Sequence, residues 1–270
     1  MELSVIIVNY NGEKYLKNCL DSLKDKLRDI VYEIVVIDNA SADGSIAFIK
    51  EHYPGVVLIE SKDNHGFGRG NNRAVSHAKG QYLLLLNNDT IIQDKLQPVL
   101  QVLKNDSGIG AVGIKMLDGS GKYLAGVGNF PYAGNLFRLK NMFHLGKEFK
   151  TGIFTKTSYE VDWLTGSFIM LPKKVYVEIG GFDEDYFMYV EDVDFNKKIA
   201  DRGYKRIFLP NYSYLHFVGY NSSKDILILN SLDLYISKNL QGINRLLAVV
   251  SLSFNKGVKQ IKKLFKVKKA

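Results

Sequence analysis

Residues 80–90 read GQYLLLLNNDT. The apolar run Tyr82–Leu86 stops without transition at two carboxamides and a carboxylate, Asn87-Asn88-Asp89. So short a run, bounded by turn-forming residues, fits a strand buried on both faces. The same design recurs on either side of it. LSVIIVN (3–9) leads into Tyr10-Asn11, and EIVVID (33–38) runs into Asn39. VVLIE (56–60) and IGAVGI (109–114) read as two further strands. Helical patterns lie between them: Leu16, Cys19, Leu20 and Leu23 mark one face of the first, and Asp43 or Ser45 is expected to cap the second. Strands alternating with helices predict an α/β fold, a mostly parallel sheet with helices on both faces.

The second half is less regular. VDWLTGSFIMLP (161–172) reads as a strand, KKVYVEIGG (173–181) as a short helix ending in glycine, and EDVDFNKKIADRG (191–203) as a helix. KRIFLP (205–210) and SYLHF (213–217) read as short strands, and 225–265 as helical. Residues 115–160 have weak periodicity and are expected to be loops and hairpins bordering the site. No linker interrupts the chain, which predicts one domain with a C-terminal helical appendage.

In an open α/β sheet, ligands bind beyond the carboxyl ends of the strands. Asn9-Tyr10-Asn11, Asp38-Asn39 and Asn87-Asn88-Asp89 stand at three such ends. Turn formation and helix capping explain Asn39 and Asp43. They explain Asp89 poorly, since it follows four leucines and two amides; a carboxylate there suits a hard divalent cation. The glycine cluster Gly66-Phe67-Gly68-Arg69-Gly70 follows the third strand, not the first, so it is a weak dinucleotide signal. Its glycines are expected to let backbone approach a ligand, with Arg69 available to a phosphate. Glu191, Asp192 and Asp194 follow an aromatic run. A helix dipole accounts for one or two of these acids; a partly desolvated one is a candidate general base. His216 stands alone on its apolar strand, where burial in the core competes with metal ligation. Trp163 fits a core position and a sugar-stacking platform equally well. His52, His65, His77 and His144 have no partner pattern and are expected to be structural.

Composition narrows the class. The 270 residues are 46% hydrophobic and 24% charged, which excludes a disordered chain. One cysteine, Cys19, excludes internal disulfides and cysteine-cluster metal sites and fits a reducing compartment. The opening MELSVIIVNYNG lacks the basic and then continuously apolar pattern of a secretory leader, and there is no apolar run of about 18 residues to suggest a membrane-spanning helix. Net charge is +8, yet nine of the 36 basic residues and none of the 28 acidic ones follow Asp233. The body is thus nearly neutral, which argues against nucleic acid as a partner. In the tail, Val250, Phe254, Val258, Ile261 and Phe265 fall within about 80° of one another at helical spacing. Lys256, Lys259, Lys262, Lys263 and Lys266 lie opposite. Such a helix suits an anionic membrane surface, through residues 246–269; a helix packed on the domain with a solvated basic back is the competing reading.

Taken together, SVIIVNYNG, VVIDNASADGS, NHGFGRGNN, GQYLLLLNNDT, VDWLTGSFIMLPKKVYVEIGGFDEDYFMYVEDVDF and RGYKRIFLP resemble a family 2 glycosyltransferase of the GT-A fold, in its rhamnosyltransferase-like branch. The resemblance spans about residues 3–220, omitting 115–160 and the tail. It implies residues 1–224 as the catalytic domain, with a nucleotide-sugar half (1–114) and an acceptor half (115–224), followed by C-terminal helices (225–270). It implies that Val8 and Tyr10 flank the nucleotide base, that Asp38 accepts from the ring N–H, and that Arg69, Asn71 and Asn88 serve the donor. Asp89, at the end of the segment matching the DxD motif, and His216 would ligate Mg²⁺ or Mn²⁺. Asp192 would be the catalytic base, with Trp163, Gly166 and Glu191 on the acceptor side. Asn87 departs from the family motif and leaves it a single carboxylate.

The expected activity is inverting transfer of a sugar, rhamnose from dTDP-rhamnose or another dTDP- or UDP-sugar, to a hydroxyl of a saccharide or lipid-linked acceptor in surface polysaccharide synthesis. The expected location is cytoplasmic, on the inner face of the cell membrane. A non-catalytic nucleotide-sugar-binding subunit is the alternative from a different class, and a nicotinamide oxidoreductase is a weaker one.

Overall fold

The computed structural model describes residues 1–143, 145–217 and 224–267, and in the last stretch the side chains of 227–259. Its first half follows the expected alternation: β1 (Leu3–Asn9), α1 (Glu13–Lys26), β2 (Tyr32–Asp38), α2 (Ser45–His52), β3 (Val57–Glu60), α3 (Gly66–Val75) and β4 (Tyr82–Asn87). β5 (Thr90–Ile92), α4 (Gln97–Asn105) and β6 (Ile109–Leu117) complete it. β1 pairs in parallel with β2 on one side and β4 on the other, and β2 with β3. The chain leaves β1 in one direction and returns in the other to build β4, so the crevice between the carboxyl ends of β1 and β4 is the switch point of the sheet. Asn9-Tyr10 and Asn87-Asn88-Asp89 emerge there.

Both faces of the sheet are covered, which accounts for the continuous apolar strands. Leu84 and Leu86 pack with Leu16, Leu20 and Leu100 in one buried cluster, and Leu83 and Leu85 with Ala74, Tyr176 and Phe195 in another. Leu16, Cys19, Leu20 and Leu23 are all fully buried, as their spacing predicts.

The segment 115–160 forms β7 (Tyr123–Leu124), β8 (Val127–Gly128), α5 (Ala133–Leu136), a 3₁₀ turn (Leu139–Phe143), α6 (Lys147–Thr151) and β9 (Tyr159–Glu160). Its helices are too short to leave a 3.6-residue pattern. The strand expected over 161–172 is two, β10 (Trp163–Leu164) and β11 (Phe168–Pro172), because Thr165-Gly166-Ser167 turns away between them. β11 is antiparallel to both β4 and β6, so the sheet is mixed, its order β3-β2-β1-β4-β11-β6-β12-β5. Then follow α7 (Lys173–Glu178), α8 (Glu191–Asp201) and β12 (Lys205–His216). The two strands expected over 205–217 are this one, joined across a register shift between Leu209 and Ser213. The cap of α2 also differs: Gly44 stands at the cap position, while Asp43 accepts from the Ser45 amide at 3.0 Å.

α9 (Lys224–Asn239) and α10 (Gly242–Val267) close the chain. Leu232, Ile236, Ala248 and Leu252 bury themselves with Leu136, Trp163, Tyr186 and Val190 in a third cluster. The C-terminal helices therefore complete the wall in front of α8. No helix among the described residues is long and apolar enough to cross a membrane. The expectations on Ile261, Lys262, Lys263, Phe265 and Lys266 concern side chains outside the described residues, as does His144.

Candidate active site

A cavity of about 310 Å³ opens at the switch point, and both Asp89 and Asp192 line it, together with Asn87, Gly166, Glu191 and His216. Carboxylates 103 residues apart in sequence thus share one space. Asp89 sits in the tight connection from β4 to β5. β5 pairs antiparallel with the end of β12, where Thr90 registers with His216. That pairing brings His216 Nε2 to 3.1 Å from Asp89 Oδ1. The contact lacks hydrogen-bond geometry, and this buried Oδ1 has no hydrogen-bond partner. The other imidazole nitrogen lies 3.3 Å from the Met116 sulfur. Asn87 has its amide nitrogen 3.3 Å from His216 Nε2.

Opposite, Asp192 opens α8. Its Oδ2 accepts from the Gly166 N–H and its Oδ1 from the Val193 N–H, each at 2.9 Å. Burial holds its pKa above the ordinary carboxylate value, and those amides pull the other way. The side chain keeps a partly open face onto the cavity. Glycine at 166 allows this approach: a Cβ there would lie 2.9 Å from the Phe67 ring and 3.4 Å from the Asp192 Cβ. Glu191 is more enclosed, with a buried Oε2 that has no hydrogen-bond partner; burial first and the Asp192 charge second push its pKa up. The turn entering α8 holds Tyr189 and Val190 at φ 69° and 68°. For a β-branched valine this left-handed conformation is strained by roughly 1–3 kcal/mol.

The ends of β1 and β2 are built differently. The Asn88 amide donates to Asn9 Oδ1 (2.6 Å), and the Asn9 amide donates to Asp38 Oδ2 (2.8 Å). Asp38 also accepts from the Ser41 hydroxyl and amide, at 2.7 and 2.8 Å. One hydrogen-bonded chain thus ties the ends of β4, β1 and β2. Val8 is half-buried, Tyr10 stands 52% exposed above this chain, and Asp38 is fully buried within it. Ser41 is a partner the sequence did not suggest; its place in an Asx-type loop after Asp38 is the available signal.

Three further candidates lie as follows. Trp163 is 4% exposed and its indole N–H donates to the Asn129 carbonyl, which matches the core reading of the two the sequence left open. Asn71 is 1% exposed and donates to the Phe67 carbonyl within α3. Arg69 Nε donates to the Glu184 carbonyl at 3.1 Å, with the Glu184 carboxylate 3.5 Å away, and the side chain stays 49% exposed. The glycine cluster is itself α3. Gly66, at φ 74°, leaves room for the Phe187 carbonyl, to which Phe67 N–H donates. The Gly70 and Gly68 positions meet Val8 and Phe182. These glycines seat the loop before α8 close to the sheet. Cys19 is buried with its pKa pushed up to about 12, which makes it no nucleophile.

A sheet with this switch point, carrying a carboxylate–imidazole pair opposite an acidic helix start, is the GT-A architecture of glycosyltransferases. The Pyrobaculum calidifontis mannosyltransferase PcManGT, solved with GDP-Man and Mn²⁺, superposes with a TM-score of 0.65 at 19% identity, covering 95% of this chain and 73% of its own. S. aureus TarS 1-349 in complex with UDP superposes at 0.59 and 20% identity, covering 94% and 70%. Residues 4–168 match the model of Glycosyl transferase family 2, and the chain belongs to that family. Its relatives include rhamnosyltransferases. Escherichia coli (strain K12) rhamnosyltransferase WbbL is 29% identical over 81% of this chain and 84% of its own length. The Mycobacterium tuberculosis N-acetylglucosaminyl-diphospho-decaprenol L-rhamnosyltransferase is 24% identical over 83% and 78%.

Proposed function

We propose that this glycosyltransferase moves a sugar with inversion from a nucleotide diphosphate, dTDP-rhamnose or another dTDP- or UDP-sugar, to a hydroxyl of a saccharide or lipid-linked acceptor in surface polysaccharide synthesis. The observation that carries the reading is the single cavity lined by both Asp89 and Asp192. Asp192 takes the proton of the acceptor hydroxyl while that oxygen bonds to the anomeric carbon. The bond from that carbon to the diphosphate oxygen breaks, and the nucleoside diphosphate leaves with the electron pair. Gly166 and Val193 amides orient the base, and the open side of Asp192 faces the acceptor. Glu191 borders the same hydroxyl.

Asp89 and His216 suit a divalent cation: an unpartnered buried carboxylate oxygen beside an imidazole nitrogen is an incomplete ligand set for a hard or borderline metal. Bound Mg²⁺ or Mn²⁺ would supply Lewis-acid stabilisation of the departing diphosphate. Two protein ligands leave the remaining positions to the donor and water. On the donor side Val8 and Tyr10 would sandwich the base, Asp38 would add the ring N–H to the bonds it already accepts, and Asn88 would stay the link between them. Residues 1–224 would form the catalytic domain, and residues 246–269 would hold it against the anionic inner face of the cell membrane.

The test is product formation. Asp192→Asn should bind donor, read as a thermal shift with Mn²⁺ present, and make no disaccharide product. Near-normal turnover by that variant removes Asp192 as the base. Donor binding without product in the wild type, across dTDP- and UDP-sugars and saccharide acceptors, favours a non-catalytic donor-binding subunit.

A further inference from the structure

Tyr132, Phe137 and Phe143 project from the segment whose sequence shows no clear pattern, at 57%, 53% and 42% exposure. Next to them α10 turns Ile243, Leu246, Val250 and Phe254 outward, each more than half exposed. Steps of three, four and four residues put these on one helical face. The opposite face carries Ala248 and Leu252, fully buried in the third cluster. The two sets meet at Phe137 and Phe254. Phe137 stacks on Phe254 with centroids 4.5 Å apart and planes 9° from parallel, and the Asn255 amide donates to the Leu136 and Phe137 carbonyls. Contiguous exposed apolar side chains of this kind mark an interaction surface.

Basic residues predominate beside the patch. No acidic residue occurs between 119 and 147 or after 233, although Asp233 of α9 reaches Lys256 of α10. Arg138 and Lys140 are exposed on the loop segment; Arg245 is exposed too, but at helical spacing it lies on the Ala248 and Leu252 side of α10. Lys238 and Lys256 are engaged elsewhere, with Asp183, Asp185 and Asp233. Two copies of this patch facing each other would oppose like charges, which disfavours a second chain as occupant. Apolar and aromatic side chains flanked on the loop side by Arg138 and Lys140 complement an anionic lipid interface.

We infer that α10 and residues 132–143 form one composite docking surface for an anionic lipid leaflet, with the loop segment contributing as much as the helix. The surface stands on the cluster that includes Tyr186 and Val190 at the entrance to α8. Docking would therefore set the acceptor wall beside the leaflet; this deepens, and rests on, the reading of a lipid-linked acceptor.

The test is flotation of the full chain with vesicles of equal parts phosphatidylglycerol and phosphatidylcholine, against phosphatidylcholine alone, without donor or acceptor. Binding to the anionic vesicles only, weakened by salt, is expected. Arg138→Glu with Lys140→Glu should lower partitioning at least tenfold, since each basic residue near such a surface is worth about 1 kcal/mol, or roughly fivefold. Leu246→Gln with Val250→Gln should lower it similarly with unchanged Tm. Loop variants that bind like wild type while the helix variants fail overturn the composite surface. Indifference of the wild type to anionic vesicles, or a sedimenting dimer dissolved by the helix substitutions, overturns the lipid assignment. Asp192→Asn should float as wild type does, so loss of docking and loss of transfer are read separately.

Discussion

At the ends of β1 and β2, Asn9, Asp38 and Ser41 satisfy one another through bonds of 2.7 to 3.2 Å, whereas at the start of α8 Glu191 and Asp194 each bury a carboxylate oxygen with no hydrogen-bond partner. Asp194 accepts from Asn239 at 2.8 Å through its other oxygen, and Lys198 stands 3.8 Å away, yet burial still raises its pKa. The backbone does not divide in the same way: Tyr189 and Val190 have positive φ before α8, and so do Asn11 (φ 50°) and Ala40 (φ 64°) just beyond β1 and β2. In the proposed reading the more nearly finished side, which still leaves Asn39 Oδ1 unpartnered, is the floor for the nucleotide. In the same reading the other side keeps unmet hydrogen-bonding capacity where the acceptor hydroxyl would lose its proton, as expected where electrostatics are arranged for chemistry.

The sharpest way to break this contrast is at Asp192. Asp192→Asn should lower kcat by about 10²–10⁴-fold through loss of the general base, with donor affinity unchanged. In the wild type, burial raises the Asp192 pKa, so kcat/KM should fall with acidification along a limb lying above the ordinary Asp value of about 3.9. A rate profile flat down to that value would place the proton elsewhere.

On the finished side the expected loss is in stability. Asp38→Ala strips the acceptor from the Ser41 hydroxyl and amide and leaves the buried Asn9 amide only its 3.2 Å contact with the Ser41 hydroxyl, and should cost about 3 kcal/mol in urea unfolding. A loss below ~1 kcal/mol would mean that the loop after β2 closes over the gap, and that the floor is less rigid than its bonds imply.

How much of this was legible follows the same division. β1, β2 and β4 announce themselves as short apolar runs ending in Asn or Asp; Asp89 and His216 stand out against apolar neighbours, while the choice of Asp192 among three acids and of His216 as a ligand comes from the family resemblance. The direction of β11 was not legible, since a strand buried on both faces reads the same parallel or antiparallel. β5 is three residues long and looked like part of a turn. Trp163 was ambiguous because an indole suits a core and a sugar face alike, and the fate of its N–H needed Asn129, 34 residues away. The strain at Tyr189 and Val190 has no sequence signal: neither is a residue type that favours positive φ.

Glu191→Gln sharpens the comparison at smaller scale. The folded Glu191 carboxyl keeps its proton to higher pH than the unfolded one, near 4.3. Between those two values the folded chain binds more protons, so this group makes stability fall as pH rises through the window. Glutamine cannot titrate, so the variant should lose less stability between pH 4 and 8, by on the order of 1–2 kcal/mol. Equal slopes for both proteins would mean that the Glu191 carboxyl is no more costly to ionise than an exposed one.

The smallest effect concerns what braces the acceptor loop from outside. Lys238, near the end of α9, contacts Asp183 and Asp185 at 2.6 Å each, and the Ser231 hydroxyl donates to the Met188 carbonyl at 3.1 Å. Lys238 and the Asp185 amide hold the Asp183 pKa below its usual value against the opposing effect of burial. A depressed carboxyl stabilises the fold above its unfolded pKa and loses that contribution as pH falls through the folded one. Lys238→Met should therefore cost at most ~1 kcal/mol at neutral pH, given the solvent screening at the pair, and the difference from wild type should shrink below pH 4. Its effect on turnover distinguishes a brace from a spectator. If α9 holds the 183–190 loop in the strained turn that delivers Asp192, kcat should fall and Lys238→Arg should restore it. Unchanged kcat with reduced stability would assign α9 to the fold alone.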